Sequence, residues 1–200
     1  MNVDPARMQE RSWMGERPVD DAQPILDRIA TGDRNALAEL YSRYQAPLFR
    51  YLLQLTSDRG LAEEILQDTL VAVWKSAAAF EGRSSVQSWL IGIARRQAHN
   101  TLRRQTLPRA DVGELALLPA ADPDPADAAL AQADREELSR AMQHLVSAHR
   151  EVLTLTFVQG FSYREIAHIV GVPEGTVKSR LSNAKRALRA LLRPREEVDR

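Results

Sequence analysis

Between Phe161 and Arg189 the residue types are spaced to do one kind of chemistry, the binding of a polyanion through a helix. Ser162 and Glu165 stand three apart, as in a capping box that starts a helix. Ala167 is small where two helices must cross closely. Gly171 falls where the first helix must stop, and Pro173 can open the next without losing a needed N–H. In that second segment Val177, Leu181, Ala184, Leu188 and Leu191 follow one helical stripe, which predicts a buried face. The opposite face shows Thr176, Lys178, Ser179, Ser182, Asn183, Lys185, Arg186 and Arg189, with seven cations and no acid between residues 175 and 195. Such a face supplies phosphate partners and donors for base edges. The pattern predicts a helix-turn-helix that lays its second helix in a DNA major groove.

A second constellation lies upstream. Phe80-Glu81-Gly82-Arg83-Ser84-Ser85 interrupts a helical pattern, and its serines can cap a helix running to Arg104. On that helix Leu90, Ile93, Ala94 and Leu102 are expected inside, with Arg95, Arg96, His99, Asn100, Arg103 and Arg104 on the outer faces. Aromatic and basic groups on one helix suit single-stranded DNA, since rings stack on unpaired bases while cations follow the phosphates. Trp89 reads equally well as a core residue.

The elements that must position these groups are helical throughout. Ile25, Ile29, Leu37, Leu40 and Tyr41 mark an opening helix pair. Leu48, Tyr51, Leu52 and Leu55 then share a face, and Leu61, Ile65, Leu66, Thr69, Leu70, Val73 and Trp74 form a long stripe. Residues 105–130 carry four prolines and no stripe, which predicts an extended linker. The pattern resumes from Ala133 through Leu138, Met142, Leu145, Val152, Leu153, Leu155 and Phe157. The expected organisation is all-α: a mobile tail over 1–24, a helical domain over 25–104, an acidic linker over 105–132, a helix-turn-helix domain over 133–193 and a C-terminal tail over 194–200.

The formal net charge is zero, but the charge is segregated. Residues 138–195 hold ten Lys and Arg against three acids, residues 25–104 eleven against eight, and residues 105–137 two against eight. Two basic modules joined by an acidic strip describe the chain better than its average. Without cysteine there is no disulfide, thiolate zinc site or direct thiol switch. No apolar run approaches the roughly 18 residues of a membrane span, and the N-terminus has no apolar signal core. A soluble, cytoplasmic protein is expected.

Enzyme signatures are absent. His99, His144, His149 and His168 sit in no metal-ligand pattern, and there is no phosphate loop, dinucleotide fingerprint or nucleophile elbow. A stand-alone helix-turn-helix regulator is the alternative, but it would have no need of residues 62–104.

Those residues carry a more specific resemblance. Ala62-Glu63-Glu64-Ile65-Leu66-Gln67-Asp68-Thr69-Leu70 with Val73-Trp74-Lys75, then Phe80–Ser85, Trp89-Leu90, Ile93-Ala94-Arg95 and Leu102-Arg103-Arg104, are similar to domain 2 of bacterial sigma factors. Ala148–Leu153, Phe161–Ala167 and Gly175–Arg180 resemble domain 4 of the same family. Two such blocks joined by a short linker resemble the extracytoplasmic-function (ECF, group IV) branch of the sigma-70 family.

The resemblance implies a factor that binds core RNA polymerase and directs promoter-specific initiation, with no cofactor and no covalent chemistry. Glu64, Gln67 and Asp68 match the positions that dock on the polymerase clamp helices. The loop bearing Phe80, Gly82, Arg83 and Ser84 matches the segment that pockets a base flipped from the −10 element. Trp89, Arg95, Arg96, Asn100, Arg103 and Arg104 would handle that strand and its phosphates. Arg96 and Asn100 stand where many relatives carry Asn and Asp, so no −10 base preference carries over. For the −35 duplex, Thr176, Lys178, Ser179, Ser182 and Asn183 match the reading helix, while Arg164, Arg180, Lys185 and Arg186 match phosphate or polymerase contacts. Small Ser182 and Asn183 replace larger or cationic groups of some relatives, which shifts weight to duplex shape. The linker would thread the RNA-exit path, and the expected partners are core polymerase, promoter DNA and an anti-sigma factor, with no membrane contact.

Overall fold

The computed structural model describes residues 22–105 and 135–192, all of whose regular elements are helical. The expected tails, apart from residues 22–24, and the linker over 106–132 lie outside the described residues. Helix α1 (Gln23–Ala30) begins two residues before the expected boundary, with Pro24 in its first turn. Asp33 caps α2 (Arg34–Thr56) by accepting from the Asn35 and Ala36 N–H groups. The Arg28 guanidinium donates to Asp33 at 2.9 Å and to Glu39 at 2.8 Å, tying α1 to the start of α2. Helix α2 stops at Ser57, a left-handed residue with φ 55°. Asp58 then caps α3 (Arg59–Ser76) by accepting from the Leu61 N–H. A 3₁₀ turn (Ala77–Ala79) and the Phe80–Ser85 loop lead into α4 (Val86–Gln105), whose start Ser85 caps by accepting from the Ser88 N–H at 3.1 Å.

The second half comprises α5 (135–143), α6 (Ser147–Leu153) widening into a π turn (Thr154–Val158), α7 (Tyr163–Val170) and α8 (Glu174–Leu191). The capping box is present in full: the Ser162 hydroxyl accepts from the Glu165 N–H, and the Glu165 carboxylate accepts from the Ser162 N–H at 2.8 Å. Gly171 closes α7 at φ 74°, its N–H bonded to the Ala167 carbonyl, a conformation that an L side chain would strain. Pro173 sits at the N-cap of α8 rather than inside its first turn.

Burial follows the periodicity at most positions. Leu40, Leu48, Tyr51 and Leu52 of α2, Ile65 and Val73 of α3, and Leu90, Ile91 and Ala94 of α4 are buried together. Val152, Leu155, Phe161, Ile166, Val177, Leu181 and Ala184 form the core of the second half, and both halves contribute to one apolar cluster. Four expected inner positions are exposed instead: Tyr41, Phe157, Leu138 and Leu191. The π turn adds a residue to the helical circuit and rotates Phe157 outward. Leu138 lies on α5, where the burial falls on Ala141, and Leu191 is the last residue of α8, beyond the reach of the core.

Hydrogen bonds from Arg28 and from backbone N–H groups hold the Asp33 carboxyl below its ordinary range. Its stabilising effect is therefore complete above the ordinary carboxylate pKa and is lost as pH falls through the lowered value. Asp33→Asn should weaken the acid dependence of the melting temperature measured between neutral and acid pH. Leu181→Ala should cost about 2–5 kcal/mol and Ser162→Ala about 1 kcal/mol, both read from urea unfolding.

Candidate nucleic-acid interface

Helix α8 divides as its sequence requires. Val177, Leu181 and Ala184 are buried, whereas Lys178, Ser179, Ser182, Asn183, Lys185 and Arg186 are exposed on the other side, with Thr176 and Arg180 half-buried. The cations are held by their own domain. Lys178 Nζ lies 5.9 Å from the centre of the Tyr163 ring on α7, and Lys185 Nζ lies 5.2 Å from that of Phe157. Arg186 donates to Asn183 Oδ1 at 3.0 Å, and the Ser179 hydroxyl donates to the Thr176 carbonyl at 3.0 Å. Arg164 is exposed on α7. The result is an exposed polar and cationic face on one side of a single helix, the element that a major groove admits. Phe157 thus acts as a platform for a surface cation. A periodicity argument that assumes α-helical pitch places this ring inside.

The other constellation gathers at the head of α4. Phe80 and Trp89 form a tilted ring pair with centroids 5.2 Å apart, and both are half-buried. Trp89 is therefore neither fully core nor free: one face packs and the rest is open. Gly82 adopts φ 68°, a conformation that an L side chain would strain, and a Cβ there would meet the exposed Gln23 side chain at 3.3 Å, which could give way. Arg83 pairs with Glu81, and Ser84 is half-buried beside them. Farther along, Arg96, Arg103 and Arg104 are exposed and Asn100 is half-buried.

Arg95 departs from the expected outer face. Its Nε donates to Glu151 of α6 at 2.8 Å, and its side chain keeps only 24% of its exposure. Glu151 also accepts from the Tyr51 hydroxyl at 2.9 Å. Burial raises the Tyr51 phenol well above its ordinary value, and the Glu151 charge adds to the shift, so the hydroxyl remains a donor. Neither Glu151 nor Tyr51 was a sequence candidate. A charged residue inside the apolar run after Arg150 was the available signal.

Glu64, Gln67 and Asp68 project from α3 on the side opposite buried Ile65, Leu66 and Thr69. Val71, 52% exposed, extends the same face and was not foreseen. Among the described residues no group of His, Asp and Glu is placed to hold a metal, and no helix is long and apolar enough to cross a membrane.

The fold and these faces define a helical DNA-binding protein of two modules. Residues 40–107 match Sigma-70 region 2, and residues 135–188 match Sigma-70 region 4. The chain is 34% identical over 158 residues to the ECF RNA polymerase sigma factor RpoE of Cereibacter sphaeroides, covering 78% of this chain and 86% of that one. It is 34% identical over 167 residues to the ECF sigma factor SigL of Mycobacterium tuberculosis, covering 82% and 92%. A solved structure of RpoE from Bartonella quintana, in complex with the anti-sigma factor NepR, superposes with a TM-score of 0.64 at 28% identity, covering 81% of this chain and 99% of that one. The chain belongs to the ECF RNA polymerase sigma factors. As such it acts by binding polymerase and promoter DNA, as an initiation factor rather than an enzyme.

Each phosphate neutralised on a duplex contributes about 0.9 to the slope of log K against log salt. Replacing Lys185 and Arg186 together by alanine should therefore make that slope shallower by about 2 in fluorescence anisotropy of the isolated protein on duplex DNA. An unchanged slope would remove both residues from the phosphate contacts.

Proposed function

We propose that the chain is a group IV, cytoplasmic sigma factor in which α8 reads the −35 duplex and the head of α4 captures the unpaired −10 strand. The observation that carries this reading is the pairing, in one chain, of an exposed cationic reading helix with an aromatic and basic helix head. Lys178, Ser179, Ser182 and Asn183 present the donors nearest the base edges, with Thr176 at the helix start. Arg164, Arg180, Lys185 and Arg186 take phosphates. At the other end Phe80, Gly82, Arg83 and Ser84 form the base pocket, with Trp89 as its wall. Arg95, Arg96, Asn100, Arg103 and Arg104 follow the strand.

Glu64, Gln67 and Asp68 form the polymerase face, whose carboxylates and amide suit arginine partners. The work done is thermodynamic: binding to polymerase and to two promoter elements offsets the cost of unpairing, and capture of the exposed bases holds the strands apart. The Bartonella quintana relative is solved with an anti-sigma factor, which supports control of this chain by a partner of the same kind.

Run-off transcription with purified core polymerase over a pool of genomic fragments tests the whole reading. Discrete transcripts that depend on the protein support it; specific duplex retention without transcripts would favour a stand-alone regulator. Lys178→Ala with Asn183→Ala should abolish −35-dependent initiation and leave assembly with polymerase intact. Asp68→Arg should do the reverse, weakening competition for core enzyme without altering duplex binding.

A further inference from the structure

The two halves meet along a seam of polar contacts between residues far apart in sequence. Glu151 of α6, 5% exposed, receives the Tyr51 hydroxyl from α2 and Arg95 Nε from α4. Glu165, whose other oxygen closes the capping box, accepts from the Ser88 hydroxyl at 3.2 Å at the head of α4. Gln159 donates to the Pro47 carbonyl at 2.8 Å and accepts from Gln87 at 3.2 Å. Arg150 reaches Ser57 Oγ at 3.0 Å. The −35 module therefore sits on the first turns of the helix assigned to the −10 strand.

We infer that Glu151 is an internal stand-in for a −10 phosphate: in the free chain its carboxylate holds Arg95 through Nε, latches the two modules shut and competes with a single strand for that side chain. The inference rests on the assignment of Arg95 to that strand. Glu151 takes the Arg95 Nε–H, one of the donors a phosphate would use, and holds the side chain against α6 with only 24% of its exposure, so a strand must compete with the carboxylate for it. Tyr51 and Arg95 come from different helices of the first domain and converge on one side chain of the second. Removal of either should loosen the same joint. Because the open form is the one that binds, apparent affinity for a strand is lowered by the fraction of molecules that are open.

The chain has no cysteine, so Lys75→Cys and Ala190→Cys, both at exposed positions, accept a donor and acceptor dye without background labelling. Single-molecule energy transfer in the full-length protein should show one compact population. Glu151→Gln should move most molecules to lower transfer efficiency. Tyr51→Phe, which alters no charge and keeps the buried ring, should move a smaller share the same way. In parallel, the Kd for a short oligothymidylate should fall by about three- to tenfold in Glu151→Gln, and by less in Tyr51→Phe. Unchanged transfer in both variants would overturn the latch. Opening without tighter oligothymidylate binding would retain the joint but overturn the competition, and would place the fault in the assignment of Arg95 to the strand.

Discussion

The arrangement of the two domains depends on one buried carboxylate. An ionised side chain removed from water loses several kcal/mol of hydration, and deleting one partner of a buried pair costs about 3–5 kcal/mol. Glu151 is accordingly surrounded: a phenol from α2 and a guanidinium from α4 both reach it, while its own helix contributes the apolar neighbours Val152 and Leu153. Its position fixes where α6 lies on the first domain. Glu165 against Ser88 at the head of α4 and Gln159 against the Pro47 carbonyl hold the same joint on either side of it. Apolar contact alone would permit sliding, whereas a charge with two donors at defined distances sets one register.

Helix α4 satisfies three demands at once. Val86, Leu90, Ile91, Ala94 and Ala98 close the first core, the Phe80–Trp89 pair and the distal arginines remain available at its edges, and Ser88 and Arg95 meet the second domain. A helix has room for this because 3.6 residues per turn give distinct faces to a core, a ligand and a neighbour. The cost is that no face is independent: a change that tilts α4 to improve its core also moves Trp89 and Arg95.

What could be read from the sequence was what is local. Ser162 with Glu165, Gly171 and the Val177–Leu181–Ala184 stripe each act within a turn or two of themselves, and the caps and core formed as their chemistry requires. The cationic outer face of α8 was legible for the same reason. Arg95 was expected on an outer face because helical spacing places it away from Leu90 and Ala94; its partner lies 56 residues downstream, beyond the reach of any local pattern. Glu151 showed locally only as a charge in an apolar run; its two donors lie on helices of the other half, which no local spacing connects to it. Phe157 was misplaced through the assumption of a uniform pitch. A π turn has no distinct composition in Thr-Leu-Thr-Phe-Val, so its extra residue shows only once neighbours constrain it.

That π turn has a consequence for how such a chain can change. In an α-helix one residue corresponds to about 100° of rotation. The extra residue between Thr154 and Val158 is taken up by the wider turn, so Gln159, the turn at Gly160, α7 and α8 keep nearly the angular phase that an α-helix one residue shorter would give them. A single-codon deletion there would let the turn revert to α pitch, leaving the orientation of the reading helix nearly unchanged while shifting which side chains the turn itself presents, Phe157 among them. Most insertions and deletions are tolerated in loops; this one lies inside a helix, where the turn can widen or narrow by one residue without moving the two halves. A change of one residue in this segment therefore alters the local surface around Phe157 before it alters the packing of the helices that follow.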